Sequence, residues 1–187
     1  MAIAVRPPHE HPYVRPLTYD DVQQFPDDGY RYELVDGELL VTPAPNKAHQ
    51  RAVTQLVVLL SAAAPAQMET FVGPVDWYVR PTTYFEPDLV VVRRDGAADE
   101  QKFLEPPVLA VEVLSPSTQH RDVGLKLRAY EDAGLAWYWV VDPVEPRLTV
   151  HRLVDGRFAR QASVAGDETY EADAPFPLAV TPADLMR

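Results

Sequence analysis

Residues 108–142, VLAVEVLSPSTQHRDVGLKLRAYEDAGLAWYWVVD, read as strand, helix, strand. Val108 to Leu114 is an apolar run broken once, by Glu112, and Trp137 to Asp142 is a second β-rich run. Between them, Ser117 to Ala133 carries apolar residues at helical spacing, and Gly134 supplies the stop. Such a unit is expected to cross over right-handedly, which makes its two strands parallel. Glu112 would then stand near the C-terminal end of the first strand, where open α/β sheets bind ligands.

Working outward, the order of elements fills in a mixed α/β sheet. Residues 1–16, with four prolines and two histidines, are expected to form a poorly ordered arm ahead of one domain over 17–187. Thr18 to Asp21 has the form of a capping box that opens a short helix to about Phe25. Tyr32–Val35 and Glu38–Val41 flank Asp36-Gly37, a hairpin signal. Val53, Leu56, Val57, Leu60 and Ala64 stripe a helix from about Ala48 to Ala64, ended by Pro65. Strands follow at about Glu69–Val79 and Phe85–Val92, ahead of the opening stretch. A closing hairpin, Arg147–Leu153 and Arg157–Val164, turns at Asp155-Gly156. Phe176 to Leu185 forms a tail with a short helical end. Helix, strand, strand, strand, helix, strand, with an added hairpin at each end, predicts an α/β layer fold. The Trp137–Trp139 aromatics belong to its core rather than to a base-stacking surface.

Composition bounds the function. At 187 residues, with 47% hydrophobic side chains, the chain can bury one substantial core. Without cysteine it has no disulfide, no thiolate ligand and no thiol nucleophile, which suits a reducing cytoplasm. No apolar run approaches a membrane span, and Met1 to Pro8 lacks a signal-peptide core, so a soluble cytoplasmic protein is expected. The net charge of −11 argues against a nucleic-acid coat protein, which needs a broad basic face. It leaves room for an enzyme that meets phosphodiesters through a metal and a local patch. Arg93-Arg94 and Arg121 to Arg128 could form that patch, or be solvated surface charges.

Three charges stand where packing alone would not put them. Asp88 opens the apolar run Leu89-Val90-Val91-Val92; Glu112 interrupts its own strand; Lys126 falls between Tyr130 and Ala133 in the apolar sector of its helix. A buried charge must be paired, protonated or bound to metal. Each has a plainer reading: a polar strand start for Asp88, a structural salt bridge for Glu112, a snorkelling stem or a pair with Asp122 for Lys126. Glu86 shares the strand face of Asp88 and could replace it. Glu33, in the first hairpin, is a further candidate acid, and His49 reads as a packed or capping residue. Jointly, two carboxylates can hold Mg²⁺, the metal lowers the pKa of a bound water, and a lysine orients that water and offsets charge at phosphorus.

The ordered set of motifs resembles the Uma-type branch of the PD-(D/E)XK nuclease superfamily. It runs from Tyr32-Glu33-Leu34-Val35-Asp36-Gly37-Glu38-Leu39 through Pro43-Ala44-Pro45 and His49-Gln50. It continues in Glu86-Pro87-Asp88-Leu89, Val111-Glu112-Val113-Leu114-Ser115-Pro116-Ser117-Thr118, Asp122 to Leu127 with Tyr130, and Tyr138 to Pro143. The resemblance implies a restriction-endonuclease-like αβββαβ core and a metal-dependent endonuclease acting on DNA, with Mg²⁺ or Mn²⁺ as cofactor and a homodimer as assembly. It makes Asp88 and Glu112 metal ligands, with the Val113 carbonyl as a third. The lysine usual two residues after Glu112 is replaced by Leu114, and Lys126 on the helix matches it. Two alternatives remain open: a nuclease-fold binding or regulatory module, and a hydrolase of small phosphate esters.

Overall fold

The computed structural model describes residues 15–96, 102–115 and 122–187. The expected arm, except Arg15 and Pro16, lies outside them, as do residues 117–121 of the second long helix. In order the elements are α1 (Tyr19–Val22), β1 (Arg31–Val35), β2 (Glu38–Thr42), α2 (Lys47–Ala63), β3 (Met68–Val72), β4 (Asp76–Arg80) and β5 (Thr83–Phe85). Then follow β6 (Leu89–Arg93), β7 (Lys102–Phe103), β8 (Leu109–Val113), α3 (Asp122–Asp132) and β9 (Trp137–Asp142). The chain closes with β10 (Arg147–Val154), β11 (Arg157–Ala165), β12 (Tyr170–Ala172), β13 (Leu178–Val180) and a 3₁₀ turn, Pro182–Met186.

Local chemistry accounts for the boundaries. Thr18 and Asp21 make the expected capping box on α1. The Asn46 side chain caps α2 by accepting from the His49 backbone N–H at 3.0 Å. Asp36 and Gly37 both take positive φ, 53° and 80°, as do Asp155 and Gly156, so both predicted hairpins turn where their Asp-Gly pairs stand.

Two predicted strands are each broken in two. Glu69–Val79 divides into β3 and β4, and Phe85–Val92 into β5 and β6. Pro74 and Pro87 supply no backbone donor at the breaks. There the β3–β6 ribbon leaves one sheet and continues as β4–β5 in another. The Gly73 N–H donates to the Asp88 carbonyl at 2.8 Å. A Cβ on Gly73 would lie 2.5 Å from the Pro87 carbonyl oxygen, so only glycine permits this approach. The corner thus fixes Glu86-Pro87-Asp88 between two sheets rather than inside a strand.

The larger sheet runs β11-β10-β9-β8-β6-β3 and the second runs β2-β1-β5-β4-β7, with β12 and β13 as a small pair. β8 and β9 are parallel, Glu112 opposite Val140, as the strand–helix–strand reading requires. Alternation divides the larger sheet into two apolar faces. Leu89, Val91, Leu109, Val111, Val113, Trp139 and Val141 pack against Ala52, Val53, Leu56 and Leu60 of α2. Val90, Ala110, Tyr138 and Val140 pack against Ala129 and Tyr130 of α3 and against Trp77 and Phe85 of the second sheet. Each fully buried leucine or valine contributes about 1.5–3 kcal/mol. Of the Trp137–Trp139 aromatics, Trp139 is buried in the first of these clusters and Tyr138 in the second, whereas Trp137 is half-buried with Arg152 over its ring. Glu112, in phase with Ala110, opens onto the second face beneath α3.

Candidate active site

Asp88 is built in by the corner. Its Oδ2 accepts the Val113 backbone N–H at 2.9 Å and lies 3.0 Å from His49 Nε2. Its Oδ1 is 2.8 Å from Arg31 Nη2. Burial opposes ionisation of this carboxyl, but the His49 hydrogen bond and the Arg31 charge outweigh it and hold the pKa at about 2. Asp88 is therefore an anchored carboxylate at neutral pH.

Glu112, Lys126, Glu33 and Tyr130 form the second half. Lys126 Nζ donates to Glu112 Oε1 at 2.9 Å and lies 2.8 Å from Glu33 Oε2. Tyr130 stands one helical turn beyond Lys126 and donates its hydroxyl to the same Glu112 oxygen at 2.6 Å. Glu33 Oε1 accepts the Glu86 backbone N–H at 2.9 Å, which ties the first hairpin to the corner. The Lys126 side chain is 9% exposed, so it points inward to carboxylates and does not snorkel. The side chain of Asp122, its other candidate partner, lies outside the described residues.

One ammonium shared by two carboxylates leaves the acids short of positive charge. Burial first, then the Asp88 and Glu33 charges, push Glu112 up to about 7 despite Lys126. Burial, Glu33 and Asp76 likewise push Glu86 up to about 8. For Lys126, burial acts against the charge, but Glu112 and Glu33 dominate and hold its pKa above the usual lysine value. Burial and the neighbouring Glu112 raise the Tyr130 phenol well above 10, so it stays a donor.

These groups open on one cleft of about 520 Å³, solvent at its mouth included, lined by Arg31, Glu33, His49, Asp88, Glu112 and Lys126. Glu86 is not in the lining, so it does not take the place of Asp88. All four predicted residues, Asp88, Glu112, Lys126 and Glu33, come together here, with Val113 beside them. His49 belongs to the site and does more than pack; Arg31 lies outside the expected set, and Tyr130 enters it only as a motif residue with no role assigned. Arg31 is two residues before Glu33, on the same strand face, and Tyr130 is four after Lys126, so spacing could have found both. Of the candidate basic patch, the described half at Arg93-Arg94 is already paired with acids. Arg93 pairs with Glu105 and Arg94 with Glu69, and Arg121 lies outside the described residues.

The carboxylates of Asp88 and Glu112 in one cleft, with no sulfur among its lining, are donors of the kind a hard divalent cation takes. Among the described residues, no three His, Asp or Glu side chains converge as a ready cage. A cation here would keep several waters, as Mg²⁺ does.

The α/β layer fold thus brings two acids, Asp88 and Glu112, and a helix-borne lysine to one cleft, and comparison with known proteins makes the protein nuclease-like. The chain belongs to the Uma2 family, described as "Putative restriction endonuclease", whose sequence profile matches residues 19–184. It shares its fold with the crystal structure of a "putative nuclease belonging to DUF820" from Anabaena variabilis. That structure is 22% identical, with a TM-score of 0.71 over 91% of this chain and 98% of the other. The restriction-endonuclease-like αβββαβ core is α2-β3-β6-β8-α3-β9. No curated protein matches the chain. Among the described residues, no helix is long and apolar enough to cross a membrane.

Proposed function

We propose that this protein is a Mg²⁺-dependent DNA endonuclease, with Mn²⁺ as a substitute metal, acting as a homodimer. The observation that carries the reading is the convergence of Asp88, Glu112 and Lys126 in one cleft, with Lys126 held between Glu112 and Glu33. Asp88, Glu112 and the Val113 carbonyl would hold the metal. When bound, it would polarise the phosphate and lower the pKa of a coordinated water.

The protein groups supply positioning and charge. His49 and the Val113 N–H fix the Asp88 carboxylate from one side. Tyr130 and Lys126 fix Glu112 from the other. The Lys126 ammonium keeps its proton at Nζ, orients the attacking water and offsets negative charge that grows on phosphorus. Glu33 holds Lys126 in place, and its own orientation comes from the Glu86 N–H.

A second reading, a nuclease-fold binding or regulatory module, draws support from the ion pairs that already occupy Asp88 and Glu112 and from the net charge of −11. A hydrolase of small phosphate esters would also tolerate that charge. Incubation of purified protein with plasmid DNA and with a chromogenic phosphate ester, in Mg²⁺, Mn²⁺ or chelator, separates the three. The endonuclease reading expects metal-dependent DNA cleavage, lost in Asp88→Asn, Glu112→Gln and Lys126→Ala. Cleavage that persists in all three variants would refute this site.

A further inference from the structure

We infer that Arg31 is a phosphate-binding residue that stands in for the metal until the metal binds. In the metal-free protein its guanidinium occupies Asp88 Oδ1, the oxygen a cation needs; a bound divalent cation takes that oxygen and releases Arg31 to the substrate phosphodiester. The inference rests on the metal-dependent reading above and adds a substrate contact to it.

The first support is the allocation of Asp88. Oδ2 is already shared by His49 Nε2 and the Val113 N–H, at 3.0 and 2.9 Å. Both of those partners are fixed by backbone: Val113 is a β8 residue, and His49 is held in the first turn of α2 by the Asn46 cap. Oδ1 faces only Arg31, at 2.8 Å, among the described residues. A cation arriving at Asp88 therefore competes with Arg31, not with His49 or Val113.

The second is charge. Among the described residues, Arg31 and Lys126 are the arginine and lysine that face the carboxyls of Glu33, Glu86, Asp88 and Glu112. With both in place, the cleft lining still holds three carboxyls, Glu33, Asp88 and Glu112, against these two side chains. A divalent ion would supply the missing charge and make Arg31 superfluous at Asp88.

The third is access and chemistry. The Arg31 side chain is 21% exposed, against 9% for Lys126 and 4% for Asp88, so of the two cations Arg31 lies nearer the cleft mouth. Lys126 is committed to two carboxylates, whereas Arg31 makes its closest ion pair with one. A guanidinium is planar, permanently charged and matched to two phosphate oxygens. Arg31 also projects from β1 on the same face as Glu33, so its backbone is fixed by pairing with β2. A side chain on a fixed backbone can change partner without moving the fold.

The test measures metal and DNA binding separately, without cleavage. Mn²⁺ binding to the DNA-free protein is titrated by calorimetry, and duplex DNA binding is measured in Ca²⁺. Arg31→Met keeps much of the stem and removes the charge. It should bind Mn²⁺ about tenfold more tightly and duplex DNA about tenfold more weakly, the scale of one charge-assisted hydrogen bond. Unchanged or weaker Mn²⁺ binding, with Asp88→Asn abolishing it in the wild type, overturns the competition while leaving the metal site intact. Tighter Mn²⁺ binding with undiminished duplex affinity overturns the phosphate role. A wild type that binds no Mn²⁺ overturns both this inference and the metal-dependent reading. Should Arg31→Met not fold, Arg31→Lys keeps the charge but loses the fork. It should retain only part of the duplex affinity, and full retention would overturn the inference.

Discussion

Raising the pH from 5 to 8 in the absence of metal should cost the protein folding stability, and Glu112 sets the size of the effect. Its carboxyl moves from 4.5 to about 7 on folding, because burial and the Asp88 and Glu33 charges outweigh Lys126. A carboxyl raised in this way binds its proton more tightly when folded than when unfolded. Its stabilising contribution is complete below 4.5 and is lost as pH rises through about 7. At about 1.4 kcal/mol per pKa unit the loss is about 3 kcal/mol. With the side chain 12% exposed, solvent screening trims this only slightly. Asp88 works in another window: held at about 2, it stabilises above 3.8 and loses that contribution as pH falls towards 2. His151, lowered by burial, acts in the opposite sense, since its neutral form gains as pH rises through its range. Glu86 adds to the alkaline loss, which is why the decisive comparison is between proteins and not between pH values. Urea unfolding of wild type and Glu112→Gln, followed by tryptophan fluorescence in chelator from pH 5 to 8, isolates the Glu112 share. Glutamine cannot titrate, so the variant should lose about 3 kcal/mol less than wild type across that range. Parallel pH profiles for the two proteins would refute the electrostatic account of the site.

Two further changes probe the supports. Tyr130→Phe keeps the ring packing with Phe85 and Tyr138 but removes the 2.6 Å donor to Glu112. A hydrogen bond to a charged group contributes about 1.5–3 kcal/mol, so Glu112 should titrate higher than in wild type and metal-dependent cleavage should fall about tenfold or more. NMR titration of a carboxyl-labelled protein reads the first effect, and an unmoved Glu112 would count against a role for the hydroxyl. Gly37→Ala tests the hairpin that delivers Arg31 and Glu33. Gly37 has φ of 80°, and a Cβ there would lie 2.4 Å from Pro16 Cβ. The variant should unfold about 1–3 kcal/mol more easily in urea. A denaturation midpoint equal to wild type would mean that the turn relaxes at no cost.

The legible parts of this chain are those that local chemistry decides. Asp36-Gly37 and Asp155-Gly156 need positive φ at both positions, and little else can follow from such pairs between apolar strands. Thr18 and Asp21 satisfy each other across three residues. The parallel pairing of β8 and β9 follows from a helix lying between them. The bend of the ribbon was harder to see, although Gly73, Pro74 and Pro87 all stand inside the predicted strands. Apolar alternation continues through the bend, because β4 and β5 enter a second buried sheet rather than solvent. His49 was read by its helix position, which explains its burial but not its ring. Its partner Asp88 lies 39 residues away and meets it only because the corner brings β6 beneath α2.

Leu114 explains why the lysine can come from another element. Along β8 the side chains of Ala110, Glu112 and Leu114 share one face, so a lysine at 114 would have lain beside Glu112 on the side that α3 covers. Leu114 instead packs, partly buried, in the apolar cluster of Ala129 and Tyr130, and its backbone N–H is paired with the Val141 carbonyl at 2.8 Å. The ammonium reaches the same acid from above, at 2.9 Å from Glu112 Oε1, carried on the helix that closes the face. The proposed mechanism calls for a cation over that face, and the fold offers two places to attach it. Attachment to α3 has a consequence that attachment to β8 would not. The position of the ammonium then depends on the packing of Tyr130 and Ala129 against Ala110 and Tyr138, so α3 both completes the core and holds the lysine. Stability and site geometry are coupled through that one helix, whereas the opposite face, packed on α2, carries the fold and touches the cleft mainly through His49.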